Sequence, residues 1–143
     1  MTKLILLVED NPDDQVLTKA AFQMTGVDCD VKIFAEGQDC LDYIFCEGRW
    51  LGRDIDPRPD LILLDINMPK VDGFTVLELL RKSSKCKYVP IVMLTTSTDI
   101  KDIAKSYELG ANSFIRKPVN FDDFSEAAGQ ISKYWLTFNQ AFD

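Results

Sequence analysis

Four short apolar runs, each stopping at a polar or charged group, constrain this chain more than any other feature. Leu61-Ile62-Leu63-Leu64 stops at Asp65, and Leu4-Ile5-Leu6-Leu7-Val8 stops at Glu9-Asp10. Ile91-Val92-Met93-Leu94 stops at Thr95-Thr96, and Phe114-Ile115-Arg116 runs into Lys117-Pro118. Continuous apolar runs of this length read as strands covered on both faces, the condition of strands in a parallel sheet. In open α/β sheets, ligands bind in the crevice outside the carboxyl ends of the strands. If these strands lie parallel, three carboxylates, a hydroxyl and an ammonium converge on one edge. That set outlines a divalent-metal and phosphoryl site.

The segments between the runs read as helices. Asn11 offers an N-cap, Pro12 suits the first helical position, and Asp13 and Asp14 complement the helix dipole. That helix is expected to reach about Gly26. Val31-Lys32-Ile33-Phe34 alternates as an edge strand does, and a helix from about Gln38 to Glu47 follows. Residues 48–59 form a loop, because Gly48, Gly52, Pro57 and Pro59 block regular structure. In the second half, a helix of about 74–82 follows Pro69 and Gly73, and a strand spans 89–94. Ser97 or Thr98 caps a helix stopping at Gly110, and Asn120 caps a last helix from about 121 to 138. Five strands alternating with five helices make an α/β fold, a parallel sheet with helices on both faces and right-handed crossovers.

The 143 residues suit one domain, expected to span 1–143 with a C-terminal helix extension at about 131–143 and no output domain. A net charge of -7 disfavours phosphate-led binding of nucleic acid, which needs clustered Lys and Arg. No apolar run approaches the roughly 18 residues that span a bilayer, and no membrane partner is expected. Met1-Thr2-Lys3-Leu4 runs into Glu9-Asp10, unlike a secretory signal, so a cytoplasmic location is expected. Cys29, Cys40, Cys46 and Cys86 form no C-x-x-C pair and read as reduced, packed thiols. The absence of histidine excludes Ser-His-Asp and Cys-His catalysis and a phosphohistidine in this chain. Its chemistry must run on carboxylates, hydroxyls and lysines.

Asp65 taken alone is as well read as a strand-end carboxylate capping its loop; its company changes the reading. Three carboxylates crowded together repel, and a divalent cation relieves that repulsion. Oxygen ligands without sulfur or imidazole favour Mg²⁺. Lys117 supplies a positive charge opposite the metal, and Thr95 a hydroxyl for a phosphoryl oxygen. Glu9-Asp10, Asp65-Ile66-Asn67-Met68-Pro69, Asp72-Gly73, Thr95 and Arg116-Lys117-Pro118 together resemble the receiver domain of two-component response regulators, over about residues 3–136.

This resemblance implies a flavodoxin-like, doubly wound five-stranded parallel sheet of order 2-1-3-4-5 with five helices. It implies that Asp65 is the phosphoacceptor, taking a phosphoryl group from a histidine kinase or a phosphotransfer protein. It implies Mg²⁺ held by Asp10, Asp65 and the backbone carbonyl of Asn67, with Glu9 acting mainly through water. Thr95 and Lys117 match the groups that hold the phosphoryl oxygens. Such a chain is not an enzyme in the ordinary sense, since it promotes only its own phosphorylation and dephosphorylation.

Many receivers carry tyrosine where this chain has Phe114, so a Thr95-aromatic switch here works by ring packing or not at all. Loop 48–59 and the tail Ile131-Ser132-Lys133-Tyr134-Trp135-Leu136 resemble small single-domain regulators paired with bacterial phytochrome kinases. Ile131, Trp135, Phe138 and Phe142 are spaced by four, three and four residues, one stripe of a continuous helix. That stripe suggests a two-fold homodimer, with a tail folded over its own domain as the alternative. A haloacid-dehalogenase-type phosphatase would need an aspartate where Asn67 stands. A flavin or nucleotide binder would need a phosphate-cradling loop in place of Glu9-Asp10-Asn11-Pro12-Asp13. An unphosphorylated scaffold is disfavoured by the intact acidic set and Lys117.

Overall fold

The computed structural model describes residues 2–54 and 57–142. Among them, strands β1 (Lys3–Val8), β2 (Cys29–Phe34), β3 (Leu61–Leu64), β4 (Ile91–Thr95) and β5 (Ser113–Arg116) form one sheet of order β2-β1-β3-β4-β5. Every neighbouring pair is parallel. Helices α1 (Pro12–Gln23), α2 (Gly37–Phe45), α3 (Gly73–Lys82), α4 (Ile100–Glu108) and α5 (Phe121–Ser132) follow the strands in turn. The expected order 2-1-3-4-5 is therefore the observed one, with the predicted Val31–Phe34 segment at an edge.

The core divides by strand parity, because successive side chains point to opposite faces. Leu6, Val8, Ile62, Leu64 and Met93 pack with Leu41 and Ile44 of α2 and Leu77 and Leu80 of α3. Ile5, Leu7, Leu61, Leu63, Val92 and Leu94 pack on the other face with Phe22 of α1 and Phe124, Ala128 and Ile131 of α5. β1, β3 and β4 are thus covered on both sides, which is why their sequences run apolar without alternation. Each such Leu or Ile contributes about 1.5–3 kcal/mol by leaving water.

Several boundaries differ from expectation for local reasons. α1 ends at Gln23, and Gly26 lies beyond it in a turn at φ 83°. α2 ends at Phe45 because Cys46 takes a left-handed conformation, φ 57°. β4 starts after Pro90, which has no N–H for the ladder. Asp99, not Ser97 or Thr98, caps α4: its carboxylate accepts from the Lys101 amide at 2.9 Å. The Ser97 hydroxyl instead donates to Asp102 at 2.6 Å.

An aromatic anchor fixes the start of the loop after α2; residues 55 and 56 of that loop lie outside the described residues. Gly48–Trp50 makes a 3₁₀ turn, and the Trp50 ring meets Tyr43 edge-on at 5.0 Å and Phe34 at 6.3 Å. Trp50 and Arg49 both donate to Asp39, at 2.9 Å from the indole and 2.6–2.8 Å from the guanidinium. The Arg49 hydrogen bond holds the Asp39 carboxyl below its usual pKa.

The tail corrects the idea of one exposed stripe. α-Helical winding stops at Ser132, and Lys133–Phe138 continues as a π-helix, which changes the phase of the faces. Ile131 and Leu136 are buried in the protein's own core, and Trp135 packs beside them. The chain turns extended at Asn139, and the Phe142 ring rests on Tyr88 at 4.7 Å. Phe138 and Phe142 both remain exposed. No described helix is long and apolar enough to cross a membrane.

At the amino-terminal edge of the sheet, Arg81 ties three segments together. It donates to the carbonyls of Gly110 (2.8 Å), Cys86 (2.8 Å) and Val89 (2.7 Å), and to Asn112 Oδ1 (2.6 Å). Asn112 in turn accepts from the Ile91 amide at 2.8 Å. Removing the guanidinium strands several half-buried acceptors at once. Arg81→Ala should lower stability by about 2–4 kcal/mol in urea unfolding. Arg81→Lys should recover only a fraction, since an ammonium lacks the planar fork.

Candidate functional site

β1 and β3 are neighbours in register, with Val8 beside Leu64, so Glu9 and Asp65 leave the sheet side by side. The Asp65 amide donates to the Val8 carbonyl at 3.1 Å, extending the ladder by one rung. On the other flank, β4 pairs with β5, and the Lys117 amide donates to the Thr95 carbonyl at 2.8 Å. Four of the residues expected at the site are thus placed by backbone pairing.

The side chains converge. Glu9, Asp10 and Asp65 each offer a carboxylate oxygen within 4.8 Å of the others. Glu9 and Asp65 are buried, and Asp10 is half-buried. The buried Lys117 ammonium donates to Glu9 Oε1 and to Asp14 Oδ2 (3.0 Å), and stands 3.6 Å from Asp65 Oδ2. Asp65 Oδ1 is buried and has no hydrogen-bond partner. Thr95 is fully buried, its hydroxyl oxygen accepting from the Ser97 amide at 3.4 Å. Asn67 sits exposed on the loop after β3, and Phe114 is half-buried in β5, packed against the α2–α3 core.

The electrostatics are those of a crowded anionic site. Burial raises the Glu9 pKa above the usual carboxylate range, and the neighbouring Asp65 charge adds to it, against the pull of Lys117. Burial alone would lower the Lys117 pKa; its hydrogen bond to Glu9 and the charge of Asp65 outweigh that, and the net shift is upward. Lys117 is therefore firmly an ammonium.

A buried carboxylate oxygen without a partner, beside two further carboxylates, fits a hard divalent cation of the Mg²⁺ type. Asp10, Asp65 and the Asn67 carbonyl are the groups that would hold it. The donor set lacks sulfur and imidazole, which argues against zinc or copper.

Sequence reasoning missed one member. In the sequence Asp14 stands out only as a helix-dipole residue, yet it accepts from Lys117 as well. The signal was available, since α1 opens directly from the site and its first turn faces back over it.

Gly73 shapes the loop that carries Asn67. A Cβ there would lie 2.1 Å from the Asp65 carbonyl oxygen and 2.8 Å from Ile66 Cα. The Gly73 amide donates to the Ile66 carbonyl at 2.9 Å, and Asp72 caps α3 through the Thr75 amide at 2.9 Å. Asp72-Gly73 thus seats α3 directly against the phosphoacceptor candidate's own backbone.

The model of the response regulator receiver domain matches residues 5–129. The chain belongs to the response regulator receiver family. This receiver is 37% identical to the probable methanogenesis regulatory protein FilR2 of Methanothrix harundinacea, over 96% of this chain and 86% of FilR2. It is 35% identical to response regulator Rcp1 of Synechocystis, over 94% of this chain and 89% of Rcp1. The phosphorylated cyanobacterial phytochrome response regulator RcpA superposes with a TM-score of 0.91 at 34% identity, covering 100% of both chains. The Mn²⁺-bound structure of Rcp1 superposes with a TM-score of 0.87 at 33% identity, covering 99% of both.

In this receiver, Gly73→Ala should push α3 away from Asp65 and Ile66. The expected cost is about 1–3 kcal/mol of stability, the usual range for an overpacked site, with weaker Mg²⁺ binding. Urea unfolding and Mg²⁺ titration by NMR check both, and a wild-type result in each would show that the loop adjusts freely.

Proposed function

We propose that Asp65 accepts a phosphoryl group from the phosphohistidine of a partner kinase or phosphotransfer protein, and that the receiver signals through protein–protein contacts. The observation that carries this is the state of Asp65: buried at the end of β3, one oxygen unpartnered, the other 3.6 Å from a buried ammonium. An Asp65 oxygen attacks phosphorus, and an O–P bond forms as the donor's P–N bond breaks. The bonding pair passes to the imidazole nitrogen, which takes up a proton. The product is an acyl phosphate, labile in water and suited to a transient signal.

Such transfer needs positioning and charge neutralisation more than covalent chemistry from the protein. Lys117 supplies a fixed positive charge beside the acceptor, and the Thr95 hydroxyl supplies a donor for a phosphoryl oxygen. Mg²⁺ would be held by Asp10, Asp65 and the Asn67 carbonyl, with Glu9 acting mainly through water, and would supply further positive charge for those oxygens. Phe114 has no hydroxyl, so any coupling between Thr95 and the ring would run through packing. Rcp1 and RcpA match this receiver through its tail, and RcpA is a phytochrome response regulator. That supports a phytochrome-like histidine kinase as the donor, acting in the cytoplasm.

With a small phosphoramidate donor and Mg²⁺, intact mass should rise by one phosphoryl group. Asp65→Asn or EDTA should abolish the gain. Labelling that survives in Asp65→Asn would place the acceptor elsewhere.

A homodimer remains the proposed assembly, through a smaller surface than the sequence suggested. Tyr134, Phe138 and Phe142 are exposed, Phe142 against the exposed Tyr88 ring, and Trp135 is half-buried, whereas Ile131 is buried in the domain's own core. Wild type should sediment as a dimer at tens of micromolar, a typical working range for modest interfaces. Truncation after Leu136 should shift it toward monomer. A monomeric wild type, phosphorylated or not, would end the proposal.

A further inference from the structure

Asp14 lies outside the carboxylate cluster yet holds the same lysine. Its Oδ2 accepts from Lys117 Nζ at 3.0 Å, with the Asp14 side chain 30% exposed and that of Lys117 6% exposed. Glu9 accepts from the same ammonium, and Asp65 Oδ2 is left at 3.6 Å, beyond hydrogen-bonding distance. Two acceptors thus hold the ammonium short of the third.

The two differ in freedom. Glu9 is buried and pinned, its other oxygen accepting from the Asn11 amide at 3.1 Å. Asp14 stands in the first turn of α1, its amide fastened to Asn11 Oδ1 at 3.0 Å. With Lys117, Leu17, Val119 and Phe124, it lines a cavity of about 160 Å³ between α1 and the β5–α5 connection. Asp14 therefore contacts the site through Lys117.

We propose that Asp14 is a positioning residue that holds Lys117 back from Asp65 before phosphorylation and thereby sets how readily Lys117 turns to the phosphoryl group. The proposal rests on the phosphoacceptor role of Asp65. When phosphate arrives on Asp65, its oxygens compete with Asp14 for the ammonium. A charged hydrogen bond to Asp14 weighs against that turn, and a neutral amide in its place weighs less.

Beryllofluoride, which mimics a phosphoryl group on a carboxylate, is the probe. With saturating Mg²⁺ and NMR detection, Asp14→Asn should bind it roughly three- to tenfold more tightly than wild type, the scale of one partly exposed charged hydrogen bond. Its Mg²⁺ affinity should change by less than about twofold, since Asp14 lies outside the cluster. Asp14→Glu, which keeps the carboxylate, should return toward wild type. Asp13→Asn removes an exposed charge from the same helical turn without touching Lys117 and should leave the affinity near wild type. Equal beryllofluoride affinities for wild type and Asp14→Asn overturn the proposal, as does an equal gain in Asp13→Asn. A wild type that binds no beryllofluoride and takes no phosphate removes the phosphoacceptor reading, and the role of Asp14 falls with it.

Discussion

The in-register pairing of β1 with β3 is the constraint on which the rest of the molecule depends. Val8 sits opposite Leu64, and the next residues in each strand are Glu9 and Asp65. A slip of one residue would turn every β1 side chain to the opposite face. It would also carry Glu9 and Asp10 out of reach of Asp65. Core and site are therefore specified by the same register. The two-sided packing that holds β1 in place, with Leu6 and Val8 on one face and Ile5 and Leu7 on the other, also aims the acids.

That geometry is legible in the sequence because burial and chemistry change at the same residue. An unbroken apolar run followed at once by a carboxylate marks a strand end, and the marker occurs at Val8-Glu9 and Leu64-Asp65. The convergence of Glu9, Asp10 and Asp65 follows from it, and the β4–β5 pairing brings Lys117 beside them. What escaped had no such local marker. Asp99 caps α4 in a Ser-Thr-Asp run where any of three residues serves on composition. Trp50 anchors a glycine-flanked turn through contacts with Tyr43 and Phe34, partners that only the fold brings near. The tail winds as a π-helix after Ser132 with Leu136 buried, and it turns extended at Asn139, so Phe142 falls outside any helical period.

The site itself is poor in satisfied interactions. Burying acids together costs stability, and one lysine among Glu9, Asp14 and Asp65 only partly offsets that cost. The raised pKa of Glu9 is the same cost seen as protonation. Such crowding is characteristic of functional sites, where charge is arranged for a visitor and not for the resting fold. Under the proposed function, a cation and a phosphoryl group would answer opposite halves of the imbalance: the cation would relieve the carboxylates, and the phosphoryl group would engage the ammonium.

The two ends of the sheet make the contrast plain. At the amino-terminal edge the polar groups are closed upon one another: the Leu4 amide meets Asp60 Oδ2 and the Asp60 amide meets the Leu4 carbonyl, both at 2.8 Å. Arg81 spans the neighbouring carbonyls, and Phe142 lies across Tyr88 beside them. At the carboxyl edge the Asp65 Oδ1 atom is, among the described residues, the one buried carboxylate oxygen left without a partner. Satisfied hydrogen bonds resist rearrangement, because each must be broken before another forms. Phosphorylation as proposed would therefore direct change to the carboxyl edge, where Lys117 has Glu9, Asp14 and Asp65 to choose among, while the clamped opposite edge holds the strands in register.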